Sequence, residues 1–136
     1  MKPKVAFVCV HNSCRSQIAE ALMKHFSRES IEAYSAGTTL KASINADAVA
    51  YVKELYGIDM EVSQYPKLLD DIPPVDYIVT MGCNVGCPVL PYSCEKEDWG
   101  LEDPTGTSEV EFKNTIHKIE IKVKAFIERT LKKDNM

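Results

Sequence analysis

The fold is decided by Val5-Ala6-Phe7-Val8-Cys9-Val10-His11-Asn12-Ser13-Cys14-Arg15-Ser16, a stretch that changes from apolar to polar within a few residues. The apolar run predicts a buried strand over residues 4–8. Further on, Ile18, Leu22 and Phe26 recur at helical spacing, which predicts a helix over residues 16–29. The polar residues between these elements therefore form a loop that leads from the end of a strand into a helix.

Such a loop is suited to hold a tetrahedral oxyanion. Its backbone N–H groups and the helix N-terminus carry partial positive charge, and Arg15 adds a forked donor. The same field lowers the pKa of a thiol from about 8.5 to roughly 3.5–7.5, so we predict that Cys9 is a nucleophile. We also predict that Ser16 either donates to the thiolate or caps the helix, and that His11 acts through its backbone. The predicted substrate-binding residues are Val10, His11, Asn12, Ser13, Cys14, Arg15 and Ser16.

The composition bounds the class of protein. A chain of 136 residues fits one domain, taken as residues 1–136, and its 45% hydrophobic and 26% charged content is ordinary for a soluble protein. The net charge of −4 argues against general nucleic-acid binding. The sequence has no targeting signal and no apolar run long enough to span a membrane. We therefore expect a cytoplasmic monomer that binds neither nucleic acid nor membranes.

Strands and helices alternate along the chain. Strands are predicted over residues 4–8, 31–36, 76–81 and 94–98. Helices are predicted over residues 16–29, 46–56 and 108–133, with a short helical turn over 65–71. Alternation of this kind predicts a single-domain α/β fold, a doubly wound, four-stranded parallel sheet with helices on both faces. In such sheets, sites form beyond the carboxyl ends of the strands.

This topology predicts that Cys9, Cys83, Cys87 and Asp103 meet at one edge, because they follow the first, third and fourth strands. Asp103-Pro104 is either an ordinary turn or the source of a general acid. A bound anion raises the pKa of a neighbouring carboxyl group, which then keeps its proton at neutral pH. We predict the second role for Asp103.

Five cysteines in a cytoplasmic chain indicate catalysis, redox chemistry or metal binding rather than a disulfide framework. Cys83 and Cys87 have the spacing of a zinc half-site, but zinc needs two more ligands and Arg15 would oppose a cation near Cys9. Two inert loop thiols are the other alternative. We predict a redox pair, no metal ion and no tightly bound cofactor.

These residues resemble the arsenate reductases that are built on the low-molecular-weight tyrosine phosphatase fold. The resemblance is carried by Val8-Cys9-Val10-His11-Asn12-Ser13-Cys14-Arg15-Ser16-Gln17-Ile18-Ala19-Glu20-Ala21, Tyr34-Ser35-Ala36-Gly37, Gly57-Ile58-Asp59, Val79-Thr80-Met81-Gly82-Cys83, Cys87-Pro88 and Asp98-Trp99-Gly100-Leu101-Glu102-Asp103-Pro104-Thr105-Gly106. Gln17 stands where the phosphatases typically carry Pro. No aromatic residue follows Asp103-Pro104, whereas phosphatases use one there to hold a phosphotyrosine ring.

The resemblance implies a reaction that detoxifies arsenic and confers arsenical resistance. Cys9 would attack arsenate, or a phosphate-like oxyanion, while Arg15 holds its oxygens and Asp103 protonates the departing one. Cys83 and then Cys87 would carry the resulting disulfide to the surface, where thioredoxin or a low-molecular-weight thiol reduces it. The alternative is a phosphatase for phosphotyrosine or small phosphomonoesters that uses only Cys9, Arg15 and Asp103. A reductase of this kind would also show weak phosphatase activity, and a non-enzymatic thiol or metal-binding module is the third possibility.

Overall fold

Four parallel strands form the centre of the structure, a computed structural model that describes residues 2–39, 42–82, 92 and 94–134. The strands are β1 (Lys4–Cys9), β2 (Glu32–Gly37), β3 (Tyr77–Thr80) and β4 (Glu95–Asp98). Their order in the sheet is β2-β1-β3-β4. The predicted four-stranded parallel α/β sheet is confirmed, and each strand lies within two residues of its predicted bounds.

The register of the sheet aligns the carboxyl ends of the strands. Val8 of β1 pairs with Ala36 of β2 and with Thr80 of β3, and Thr80 pairs with Asp98 of β4. Cys9, the last residue of β1, lies opposite Gly37. The loops that leave these strands therefore start side by side.

Three α-helices follow the sequence-based boundaries closely. They are α1 (Arg15–Ser27), α2 (Ala46–Tyr56) and α3 (Glu109–Asp134). Asn45 caps α2 by accepting a hydrogen bond from the Ala48 N–H, and Gly57 ends it in the left-handed conformation. Two short 3-10 helices cover Met60–Val62 and Leu69–Asp71. Among the described helices, none has the length and apolarity needed to cross a bilayer.

The two faces of the sheet are covered differently. Val5 and Phe7 of β1 join a large apolar cluster to which α1, α2 and α3 all contribute. Ala6 and Val8 point the other way, as alternate strand residues must, and pack with Val75 and the end of the second 3-10 helix. In the described part of the chain this second face carries the 3-10 helix Leu69–Asp71 rather than an α-helix. Pro73-Pro74 follow after Ile72 and cannot continue a helix.

Gly37 allows the loop after β1 to lie directly against β2. A Cβ atom at this position would be 2.8 Å from the Val10 carbonyl oxygen and 2.9 Å from the Asn12 nitrogen. Both neighbours are backbone atoms, which cannot rotate away as a side chain would. Any larger residue at position 37 must therefore displace the loop.

We expect Gly37→Ala to lower the free energy of unfolding by about 1–3 kcal/mol, because the added methyl group overpacks the loop. We also expect binding of inorganic phosphate to weaken by at least about tenfold. Denaturant titration and isothermal titration calorimetry measure the two effects.

The matched control is Gly57→Ala. This glycine has a φ of +72°, and a methyl group added there would have no other atom within 4 Å, so the variant loses about 1–2 kcal/mol of stability from backbone strain alone. Phosphate affinity that falls equally in both variants would contradict the role given to Gly37.

Candidate active site

A cavity of about 540 Å³ opens at the carboxyl ends of the strands. It brings together Cys9, Arg15 and Asp103, which the sequence analysis placed at one edge although they lie far apart in the chain. The cavity is lined by Cys9, Val10, His11, Ser13, Cys14, Arg15, Gly82, Asp98, Gly100, Leu101, Glu102, Asp103 and Thr105. Asn12 and Ser16 were also predicted to bind substrate, but they are not among these lining residues.

The carbonyl groups of the loop are held on its outer side. The Val10 oxygen accepts a hydrogen bond from the Thr38 N–H at 2.9 Å, and the Ser13 oxygen accepts one from the Asn45 N–H at 2.7 Å. The described peptide bonds are all trans, so the N–H group that follows each of these carbonyls points the opposite way. These N–H groups therefore face the cavity and form a nest suited to an anion.

The N-terminus of α1 adds to this positive field. The helix starts at Arg15, and no described side chain caps its first turn, so the partial charge of the helix end remains directed at the cavity. Arg15 is only 6% exposed. Its Nη1 atom donates to the carbonyl oxygens of Met81 at 3.0 Å and Leu101 at 2.5 Å. Arg15 therefore ties together the loops that follow β1, β3 and β4.

The Cys9 sulfur lies beside a hydroxyl group. Its Sγ atom is 2.8 Å from Ser16 Oγ, which in turn accepts a hydrogen bond from Asn12 Nδ2 at 2.9 Å. A hydrogen bond donated to a thiolate stabilises its charged form. Ser16 thus contacts the Cys9 sulfur, and Asn12 contacts Ser16. Neither residue lines the cavity, so they support Cys9 from the side of the loop that faces the protein interior. The predicted contact between Ser16 and the thiol is present in the structure.

Cys14 differs from Cys9 in its environment. Burial raises the pKa of the Cys14 thiol to about 12, and the nearby charges of Asp103 and Cys9 act in the same direction. A hydrogen bond with Thr105 and the charge of Arg15 lower the pKa, but by less than these effects raise it. Cys14 is therefore a neutral thiol at physiological pH.

Asp103 lies on the wall of the cavity and is held by its own turn. Its Oδ1 atom accepts hydrogen bonds from the Thr105 N–H at 3.0 Å and the Thr105 hydroxyl at 2.7 Å. Asp98, also on the wall, accepts a hydrogen bond from the Thr80 hydroxyl at 2.9 Å. The carboxyl group predicted as an acid thus belongs to a residue of the cavity wall, and its Oδ1 atom is held by Thr105.

The other two predicted cysteines, Cys83 and Cys87, lie outside the described residues. Gly82 immediately precedes them and lines the cavity. It has a φ of +85°, and a Cβ atom there would be 2.6 Å from the Leu101 nitrogen. The chain therefore enters the segment of Cys83 and Cys87 from the cavity wall. In the part of the chain that the structure describes, no three His, Cys, Asp or Glu side chains are grouped to hold a metal ion.

Several polar residues that support the site were not predicted. From the segment after the first 3-10 helix, Gln64 donates to the Gln17 carbonyl oxygen of α1, and the Lys67 N–H donates to Asn12 Oδ1. Thr105 holds Asp103. The sequence carries no periodic or motif signal for these contacts, because each joins residues through the tertiary fold. His11 lines the cavity as expected, and its buried Nδ1 has no hydrogen-bond partner among the described residues.

The contrast between Cys9 and Cys14 predicts selective alkylation. At pH 7, iodoacetamide should modify Cys9 and leave Cys14 unmodified, because a thiol with a pKa near 12 holds almost no thiolate. Peptide mass spectrometry after a short incubation measures the extent of alkylation at both cysteines. The extent of alkylation at the partly buried Cys94 serves as the internal comparison. Modification of Cys14 at the same rate as Cys9 would contradict the raised pKa of the Cys14 thiol.

Comparisons with known proteins agree with this geometry. The family model for low molecular weight phosphotyrosine protein phosphatase matches residues 4–136. An arsenate reductase of Staphylococcus xylosus is 34% identical over 130 residues, which span 92% of this chain and 96% of that protein.

Two solved structures are similar over nearly all of the chain. An arsenate reductase in its phosphate-binding state has a TM-score of 0.81 and 31% identity, covering 95% of this chain and 98% of that one. A thioredoxin-dependent arsenate reductase of Corynebacterium glutamicum has a TM-score of 0.76 and 33% identity, covering 95% of this chain and 63% of that one. This chain therefore belongs to the low molecular weight phosphotyrosine protein phosphatase family, and its similar relatives include arsenate reductases.

Proposed function

We propose that this chain reduces arsenate to arsenite, with Cys9 as the nucleophile. The observation that carries the proposal is that Cys9 lines the cavity together with the residues of the anion nest, and that its sulfur lies 2.8 Å from the Ser16 hydroxyl oxygen. Arsenate is a tetrahedral oxyanion that fits such a nest. The similarity to arsenate reductases supports the choice of arsenate over other anions.

The first step joins sulfur to arsenic. The Cys9 thiolate attacks arsenate, the loop N–H groups and Arg15 bind its oxygens, and one oxygen departs. Because charge develops on these oxygens during attack, donors already fixed in place stabilise the transition state more than water would. Asp103 gives its proton to the departing hydroxyl group of the hydrogen arsenate ion, which leaves as water.

The second step supplies the electrons. Conversion of arsenate to arsenite needs two electrons, hence two thiols oxidised to one disulfide. Cys83 attacks the Cys9 sulfur, so a sulfur–sulfur bond forms and the electron pair of the arsenic–sulfur bond stays on arsenic. Arsenite leaves, and Cys87 then attacks Cys83, which frees Cys9 and moves the disulfide to the pair Cys83 and Cys87. This path is supported by Gly82, the residue before Cys83, which lines the same cavity as Cys9.

The reductant closes the cycle. We propose thioredoxin, which would reduce the disulfide of Cys83 and Cys87 by thiol exchange. The thioredoxin dependence of the Corynebacterium glutamicum relative supports this assignment. The cycle runs in the cytoplasm, where thioredoxin and glutathione keep thiols reduced.

Hydrolysis of a phosphate ester is the competing reaction, because it shares the first step and needs no further thiol. Among the described residues, no Phe, Tyr or Trp lines the cavity, so nothing there stacks on a phosphotyrosine ring. The absence of an aromatic side chain among the described lining residues favours a small inorganic anion over phosphotyrosine, and phosphatase activity would be a weak side reaction.

Replacement of Cys83 separates reduction from hydrolysis. We expect Cys83→Ser to abolish arsenite production, because no second thiol resolves the adduct on Cys9, while slow hydrolysis of p-nitrophenyl phosphate continues. Arsenite is measured by chromatography with element-specific detection. Cys94→Ser is the matched control, since Cys94 packs behind the sheet, and it should reduce arsenate normally. Undiminished arsenate turnover by Cys83→Ser would rule out the relay.

Steady-state turnover with different electron donors tests the reductant. With arsenate, NADPH, thioredoxin reductase and thioredoxin, the protein should turn over repeatedly, whereas Cys87→Ser should stop after about one equivalent of arsenite because its disulfide is not passed on. A parallel assay replaces thioredoxin by glutathione and glutaredoxin. Turnover only in that second assay would remove thioredoxin from the proposal and leave arsenate reduction intact.

A further inference from the structure

A group of buried amide side chains lies next to the loop that joins β1 and α1, and it takes no part in the steps described so far. Gln17 is 0% exposed, and Asn12 and Gln64 are also buried. Buried polar groups must be hydrogen-bonded to be tolerated. The partners of Gln17 therefore show what its side chain does.

The amide of Gln17 has only one possible orientation. Its Nε2 atom lies 3.0 Å from each of three acceptors, which are the Asn12 carbonyl oxygen, Asn12 Oδ1 and the Tyr65 carbonyl oxygen. Its Oε1 atom accepts a hydrogen bond from Gln64 Nε2 at 2.8 Å. A reversed amide would place an oxygen against three acceptors and a nitrogen against a donor. Gln17 is therefore a donor to Asn12.

The same reasoning fixes the side chain of Asn12. Its Oδ1 atom accepts from Gln17 and also from the Lys67 N–H at 2.9 Å. With both donors on the oxygen side, the Nδ2 atom is turned towards Ser16 Oγ at 2.9 Å. Asn12 also has a φ of +52°, a conformation that Asn tolerates better than most residues, and the bond from Gln17 to its carbonyl oxygen helps to hold it.

Ser16 passes this orientation on to the nucleophile. Its oxygen already accepts the Asn12 proton, so the strongest remaining use of its own proton is donation to the Cys9 thiolate at 2.8 Å. Hydrogen bonds in such a chain polarise one another. The chain runs from Gln64 through Gln17, Asn12 and Ser16 to the Cys9 sulfur.

We propose that Gln17 is a positioning residue for Cys9: its amide holds Asn12 in the orientation that directs the Ser16 hydroxyl at the sulfur. Gln17 does not line the cavity, so it acts on the nucleophile without touching the anion. The inference rests on the role proposed for Cys9 but not on the identity of the substrate. Removal of the Gln17 donor leaves Lys67 as the only hydrogen-bond donor to Asn12 Oδ1 among the described residues.

The test is Gln17→Met, which keeps the length and helix propensity of the side chain and removes its donors. The rate of Cys9 alkylation by iodoacetamide is measured against pH, with the modified peptide quantified by mass spectrometry. We expect the midpoint of the Cys9 profile to rise by about half to one pH unit, because the thiolate loses stabilisation. At pH values below the midpoint, such a shift makes the alkylation of Cys9 about threefold to tenfold slower. The constant with which inorganic phosphate inhibits the alkylation of Cys9 should stay unchanged.

Ile18→Val is the matched structural control. Ile18 is the next residue of α1, is fully buried and belongs to the apolar cluster, and its truncation costs stability of about 0.5–1.5 kcal/mol. The alkylation profile of this variant should match that of the parent. An equal shift in Ile18→Val and Gln17→Met would show a general loss of packing and would overturn the inference.

A double-mutant cycle tests the route through Ser16. In a Ser16→Ala background, Gln17→Met should cause no further shift, since the hydroxyl that it positions is gone. A shift of the same size in both backgrounds, or no shift in folded Gln17→Met, would overturn the inference.

If Gln17→Met does not fold, the deciding variant is Gln64→Met, which removes the donor to Gln17 Oε1. The midpoint of the Cys9 alkylation profile should then rise by less but in the same direction. An unchanged midpoint would refute the hydrogen-bond chain. None of these measurements needs arsenate turnover, so they are independent of the proposed reduction.

Discussion

The site depends on one constraint, namely that the loop after β1 must keep its carbonyl groups away from the cavity. A peptide group presents its N–H and C=O in opposite directions, so inward donors exist only if outward acceptors are satisfied elsewhere. The residues after β2 and before α2 meet this need by donating to Val10 and Ser13. Gly37 then allows the loop to lie against β2 at a distance that no side chain would permit. The anion nest is thus a property of three neighbouring segments rather than of the loop alone.

Arg15 adds a second requirement, since a buried guanidinium is costly unless its donors are paired. Its bonds to the carbonyl oxygens of Met81 and Leu101 meet part of that cost. They also couple the loop of the nucleophile to the segments that lead to Cys83 and to Asp103. Arg15 thus fixes the starts of the segments after β3 and β4 relative to the loop that carries Cys9.

Two polar systems meet at Cys9 from opposite sides. The cavity in front provides donors for the oxyanion, and the buried amides behind it orient the Ser16 hydroxyl. The neighbouring Cys14 keeps its proton, because burial raises its pKa to about 12 despite the opposing effects of Thr105 and Arg15. Two cysteines so close in sequence thus have different surroundings, and these surroundings control the thiolate content on which nucleophilicity depends.

Much of this protein follows from local sequence patterns. The apolar run before Cys9, the helical spacing after Ser16, Asn45 before α2 and Gly57 after it each determine an element through contacts within a few residues. The alternation of those elements determines a parallel sheet, and hence the edge at which Cys9 and Asp103 meet. The tertiary structure alone decided that Arg15 binds the carbonyl groups of Met81 and Leu101, that Thr105 holds Asp103, and that Gln17 faces Asn12 and Gln64. Apolar periodicity records which face of an element is buried, whereas a hydrogen bond between polar groups many residues apart depends on how the packed elements bring them together.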